Sequence, residues 1–252
     1  MARTITVIRD TYTEDPGLDT SLSAAILRRV GTGELPETLR IYTPGRYVAF
    51  GRQDANVPGY PDAVSLARQR GFGAVERLAG GRAALFHEET LAFAWSVPSD
   101  NPRAAITQRF EEIGVILLRA MESLGVDAYI GEVLGEYCPG ANSINARLEK
   151  KIIGVGQRIF GAATHIGGVI VVNNAALVRE TLVPIYSALD IPWKPDTTGS
   201  IADEVGAPRD VDRVADVVLS SFEEQFRLEP GYLKLGLVDE AREDAASYLS
   251  PA

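Results

Sequence analysis

Apolar positions along the chain recur in two rhythms. A helical rhythm sets Leu18, Leu22, Ala25, Ile26 and Val30 on one stripe and predicts a helix over residues 18–30, with Asp19 or Thr20 as its cap. The rhythm is clearest over 106–124, where Phe110, Ile113, Ile116, Leu117, Ala120 and Leu124 share a face and Gly125 follows as a helix-ending glycine. Further helices are expected over 62–70, closed by Gly71, over 175–182, 184–188 and 211–226, and over 231–249 as a final amphipathic segment. The two-residue rhythm predicts strands at Thr4–Ile8, Thr38–Tyr42, 47–51, 91–97 and 126–130. Residues 151–160 and 166–173 alternate or run apolar, as two strands of a buried hairpin do. Between them, 132–147 has no periodicity and holds Gly135, Pro139, Gly140 and Asn142, so it reads as an irregular crossing loop. Clustered strands with intervening helices give an α+β class with a mixed central sheet flanked by helices.

Composition narrows the function more than the fold. With 252 residues, 46% hydrophobic and 23% charged, the chain has the make-up of a soluble globular protein of one large domain plus a small appendage. A net charge of −9 argues against nucleic acid as a partner, since phosphate binding needs a basic footprint. No apolar run reaches spanning length, and residues 1–10 lack a signal-peptide core, so neither a membrane nor secretion is expected. One cysteine forms no internal disulfide and suits a reducing cytoplasm; with only two histidines beside it, a structural zinc site is not expected.

Two segments carry candidate chemistry. The first runs from Arg77 through Gly80, Gly81 and Arg82 to His87, where paired glycines let a backbone approach a ligand and arginines offer forked donors to an anion. The second is Lys151-Ile152-Ile153-Gly154-Val155-Gly156-Gln157-Arg158, in which a lysine opens an apolar strand and two glycines sit on one strand face. Lys150 is adjacent, and on a strand only one of the two lysines faces a given site. Cys138 precedes this strand in Glu136-Tyr137-Cys138-Pro139-Gly140, an irregular setting less typical of a core cysteine and compatible with a nucleophile if a nearby cation lowers its pKa. His87 and His165 lie at strand edges without a local carboxylate partner. Glu88 and Glu89 are candidate magnesium ligands only if a nucleotide binds, and Arg52, following a strand, either reaches the same site as Arg77 or is simply solvated.

Taken in order, these segments resemble the lipoate–protein ligase and octanoyltransferase family of the biotin/lipoate ligase superfamily. Arg77 to His87 is similar to the family's arginine, glycine-rich turn and histidine; Lys151 to Gln157 to its lysine strand; Phe50-Gly51-Arg52-Gln53 to its pocket-edge segment; and Thr164-His165-Ile166-Gly167-Gly168-Val169 to the strand that follows. The resemblance covers residues 5–200 and implies a biotin/lipoate ligase catalytic-domain-like unit over 1–228, with 229–252 as a C-terminal helical tail. It implies catalytic roles for Cys138 and Lys151 and a substrate site from Arg52, Arg77, Gly80, Gly81, Arg82, His87, Gly154, Gly156, Gln157, His165 and Gly167. One branch of the family passes an octanoyl group through a cysteine thioester, needs no cofactor, and takes its acyl group from a donor such as octanoyl-carrier protein. Its acceptors are lysines of lipoyl domains, as in 2-oxoacid dehydrogenase acyltransferase subunits or the glycine cleavage H protein. The other branch activates lipoate with ATP and Mg. Cys138, placed just ahead of the lysine strand, favours the transferase; Arg82, standing where the family has a third glycine, bears on whether a nucleotide fits. A non-catalytic acyl- or lipoyl-binding protein is the remaining reading.

Overall fold

A computed structural model describes residues 3–251; Met1, Ala2 and Ala252, at the outer ends of the two expected units, lie outside the described residues. In chain order the elements are β1 (Thr4–Ile8), α1 (Pro16–Thr32), β2 (Thr38–Tyr42), β3 (Tyr47–Phe50), α2 (Tyr60–Gln69), β4 (Gly73–Glu76), β5 (Ala84–Phe86) and β6 (Thr90–Pro98). There follow α3 (Ile106–Ser123), β7 (Ala128–Ile130), β8 (Ile144–Ala146), β9 (Lys150–Phe160), β10 (Ala163–Val171), α4 (Ala175–Ala188), α5 (Ile201–Val205), α6 (Val211–Glu223), β11 (Arg227–Pro230) and α7 (Leu235–Asp244).

Eight strands form one mixed sheet in the order β11-β1-β2-β6-β10-β9-β8-β7, and β4-β3-β5 form a second, smaller sheet. The expected α+β class is therefore the observed one. Odd-numbered side chains of β6, Leu91, Phe93, Trp95 and Val97, pack with the apolar stripes of α3 and α6 into the main core. The small sheet, α2 and α4 bury a second core. A third joins α1 to α7. Having the large sheet on one side and α7 on the other, α1 is buried along most of its length.

Several expectations change in detail. The cap of α1 is Asp15, whose Oδ1 accepts from Gly17 N at 2.9 Å, because the helix starts at Pro16, a residue suited to a first helical position, and Asp19 and Thr20 lie inside it. Residues 43–46 do not close a hairpin; they carry the chain from the large sheet (β2) to the small one (β3). The irregular loop of 132–147 contains β8, three buried residues paired with both β7 and β9. The two helices expected over 175–188 are one, with Pro184 inside it. Residues beyond 228 continue β11 alongside β1 and then lay α7 on α1. Among the described residues, no helix is long and apolar enough to cross a membrane.

Candidate functional site

A cavity of about 520 Å³ opens between the two sheets, walled by Gly154, Gly156, Gly167 and Ala94 of the large sheet and by Tyr47 and Ala49 of the small one. Cys138, Lys151, Arg77, Gly80, Gly81, Gln157 and His165 also line it, so most of the residues singled out from sequence converge on one space. Its size lies within the range of small-molecule sites.

Cys138 sits half-buried in a left-handed backbone conformation, φ +43°, unusual for a residue with a side chain. The hydroxyl of Tyr186 holds it there. That hydroxyl accepts from Cys138 N at 2.7 Å and donates to Ala83 O at 2.8 Å, tying the cysteine loop to the strand after the glycine turn. The sulfur faces two donors, Arg77 Nη2 at 3.3 Å and the Arg82 backbone N–H at 3.2 Å. Burial pushes the thiol pKa up, but the Arg77 guanidinium, the Lys151 ammonium and the Arg82 N–H outweigh it and hold the pKa below the ordinary thiol value.

The glycine turn owes its shape to this crowding. Gly81 has φ +116°, and a Cβ there would fall on the Arg77 guanidinium and 2.8 Å from Cys138 Sγ. Gly51 likewise abuts the Gly81 carbonyl. On the lysine strand, Gly156 admits the Ala79–Gly80 backbone: an added Cβ would meet Ala79 Cβ at 2.9 Å and Gly80 O at 3.3 Å. Gly154 faces the Lys151 side chain.

Lys151 is the lysine that turns inward, 1% exposed, while Lys150 bonds to the Asp196 carbonyl at the surface. Its ammonium donates to Glu136 Oε1 at 2.9 Å, Tyr137 O at 3.0 Å and Cys138 O at 2.7 Å, the full complement of an ammonium. Glu136 was not among the expected site residues. It is buried, and it also accepts from Ser143 Oγ at 2.5 Å and Val133 N at 3.0 Å. The signal for it was general: a lysine opening an apolar strand needs a counter-ion, and a glutamate lies two residues before the cysteine.

Three expected residues do not line the cavity. Arg82 turns its guanidinium to the buried Asp54, 3.2 Å away, so only its backbone N–H faces the thiol. His87 is fully buried below the β5–β6 turn, its Nδ1 accepting from Glu89 N at 3.2 Å, and burial lowers its pKa. Arg52 is exposed on the turn after β3. His165 does line the cavity, and burial pulls its pKa down to about 4, which keeps the ring neutral at neutral pH. Glu88 is engaged by Arg46 and Glu89 by Asn174; among the described residues no group of three or more His, Cys, Asp or Glu side chains is placed to hold a metal ion.

The lipoyl protein ligase A/B catalytic-domain family matches residues 15–223. An octanoyl-[GcvH]:protein N-octanoyltransferase of Geobacillus kaustophilus is 26% identical over 163 residues, 65% of this chain but only 57% of that relative, little more than half its length. An octanoyltransferase LipM of Kyrpidia tusciae is 26% identical over 254 residues and is matched over 91% of both chains. Among solved structures, a lipoate-protein ligase A bound with ATP superposes with a TM-score of 0.76 at 19% identity, covering 96% of this chain and 94% of that one. At that identity the likeness speaks to the fold alone.

Proposed function

The chain belongs to the lipoyl protein ligase A/B catalytic-domain family, and from that premise we propose that it transfers an octanoyl or lipoyl group to the acceptor lysine of a lipoyl-domain protein through a thioester on Cys138. The observation that carries this reading is the sulfur itself: one thiol on the wall of a glycine-lined cavity, faced at 3.2 and 3.3 Å by a backbone N–H and a guanidinium that favour its thiolate.

In the first half-reaction the Cys138 thiolate attacks the thioester carbonyl of an acyl donor such as octanoyl-carrier protein. A new C–S bond forms and the donor's sulfur leaves as thiolate. In the second, the acceptor lysine's neutral amine attacks the Cys138 thioester; the C–N bond forms, the C–S bond breaks, and the amine's proton ends on the cysteine sulfur. Arg82 N–H and Arg77 Nη2, which donate to the sulfur, are in this scheme the donors that stabilise charge developing on the carbonyl oxygen beside it in both steps. Lys151 has its three donors on the cysteine loop, so its role in this scheme is to fix that loop and add positive charge near the sulfur, exchanging one carbonyl for the acyl oxygen as the intermediate forms. The names of the relatives support a GcvH-type or other lipoyl-domain acceptor. A thiol that must stay reduced suits the cytoplasm.

The test is intact-mass measurement after incubation with octanoyl-carrier protein, beside a second sample given lipoate, ATP and magnesium. A gain of one octanoyl group that Cys138→Ala abolishes is the expected result. Full transfer activity in Cys138→Ala would overturn the thioester, and turnover that requires ATP would establish the ligase chemistry instead.

A further inference from the structure

One hydroxyl braces both sides of the contact between the thiol and its backbone donor. Tyr186 comes from α4, is fully buried, and is not among the residues that line the cavity. Its hydroxyl accepts from Cys138 N at 2.7 Å and donates to Ala83 O at 2.8 Å. Between those two points lies the 3.2 Å approach of Cys138 Sγ to Arg82 N, and Ala83 is the residue that follows Arg82. The nucleophile and the segment carrying its donor are thus joined through a third residue, one that gives the sulfur no hydrogen bond.

The backbone makes such a brace necessary. A residue with a side chain persists at φ +43° only where its surroundings over-determine it. Lys151 fixes the Cys138 carbonyl at 2.7 Å, but in the proposed transfer it exchanges one carbonyl for the acyl oxygen. The Tyr186 bond is made to the N–H, so it stays in place through that exchange. It also commits the nucleophile's own N–H, which leaves charge on the acyl oxygen to Arg82 N–H and Arg77 Nη2. The phenol ring is held in turn. Trp193 packs on it with ring centroids 5.2 Å apart, and meets Tyr137, the residue before the cysteine, at 5.9 Å. Burial raises the phenol pKa well above its ordinary value, which keeps the hydroxyl a donor at neutral pH.

We propose that Tyr186 is a positioning residue for acyl transfer, holding Cys138 in its left-handed conformation and setting the sulfur against the Arg82 N–H. The inference rests on the Cys138 thioester reading and adds to it a residue from outside the cavity.

The test is Tyr186→Phe, which removes one oxygen and keeps a ring against Trp193. With octanoyl-carrier protein as donor and a lipoyl domain as acceptor, kcat is expected to fall at least about tenfold, a misplacement of about 1 Å being enough for a hundredfold loss. KM is expected to hold, because Tyr186 does not line the cavity. The pH midpoint of Cys138 alkylation by iodoacetamide is expected to move upward as the thiolate loses its fixed donor. A folded variant in which either kcat or the alkylation profile is unchanged overturns the proposal, whatever its melting temperature. Should the variant not fold, amide hydrogen exchange at Cys138 in the unsubstituted protein decides: protection supports the brace, and exchange at the rate of an open loop overturns it. Absence of transfer by the unsubstituted protein overturns the thioester reading instead, and the alkylation profiles then decide the role of Tyr186.

Discussion

Replacing Arg77 with glutamine removes a positive charge 3.3 Å from Cys138 Sγ, together with the Nη2–H that donates to the sulfur. At an effective dielectric constant of about 20, unit charges about 4 Å apart attract by about 4 kcal/mol. The guanidinium charge is spread over three nitrogens, the thiol is half-buried and Lys151 remains nearby, so a discount to about a third, roughly 1.4 kcal/mol, is appropriate. That corresponds to about a tenfold smaller thiolate population at a fixed pH below the midpoint. The assay is the rate of Cys138 alkylation by iodoacetamide as a function of pH, followed by intact mass. The unsubstituted protein is expected to show a midpoint below that of an ordinary thiol, and Arg77→Gln a midpoint moved upward, with alkylation near neutrality about tenfold slower. Stability follows with a definite sign. Because folding lowers the Cys138 pKa, its contribution is complete above the unfolded thiol's pKa and is lost as pH falls through the folded value. Superimposable rate profiles for the two proteins would refute the electrostatic reasoning.

Two further substitutions probe the same loop. In Gly81→Ala the added methyl displaces the Arg77 guanidinium and forces a side chain into φ +116°, a strain of about 1–3 kcal/mol; its alkylation profile is expected to follow that of Arg77→Gln, with a lower melting temperature by differential scanning fluorimetry. Glu136→Gln leaves the Lys151 charge buried without its carboxylate, at a cost of about 3 kcal/mol, which calorimetry should record as a fall in Tm of about 6–12 °C. An unchanged Tm in Glu136→Gln would show that the pair contributes nothing to the fold.

How much of this was legible depended on how local the cause was. Helix α3 buries one clear stripe and β9 is one long strand, so their bounds are read from the sequence almost to the residue, whereas β10 starts three residues before the expected 166 and ends at Val171. Strand β8 is three residues long and β11 is an edge with exposed Arg227 and Glu229; neither carries a rhythm long enough to read. The cap of α1 falls at Asp15 because Pro16 opens the helix before its apolar stripe begins at Leu18, and Asp19 inside it pairs with Arg40 on a different element. At the site, Cys138, Lys151 and the glycine turn met as expected, since glycines mark places where backbones must touch. Arg82 was the instructive case. From sequence its side chain was the question, but its backbone N–H faces the sulfur while the guanidinium serves Asp54. Residue type alone does not say which end of a residue will face a ligand.

Strand β1 lies between β2 and β11, and Thr4 pairs with Arg227, 223 positions further along. The cavity is assembled in the same long-range manner: α1 supplies Asp19, β2 supplies Tyr42, and the thiol and the glycine strand β9 arrive about a hundred residues later. Folding time is what this arrangement sets. Pairings of such separation demand large loop closures before they are rewarded, which makes them slow. During synthesis β1 can pair with β2 soon after both emerge, but its other edge and much of α1 wait for the segments that cover them. The cavity cannot be complete before β9 and β10 are made, so the first forty residues or so wait longest for their full complement of neighbours.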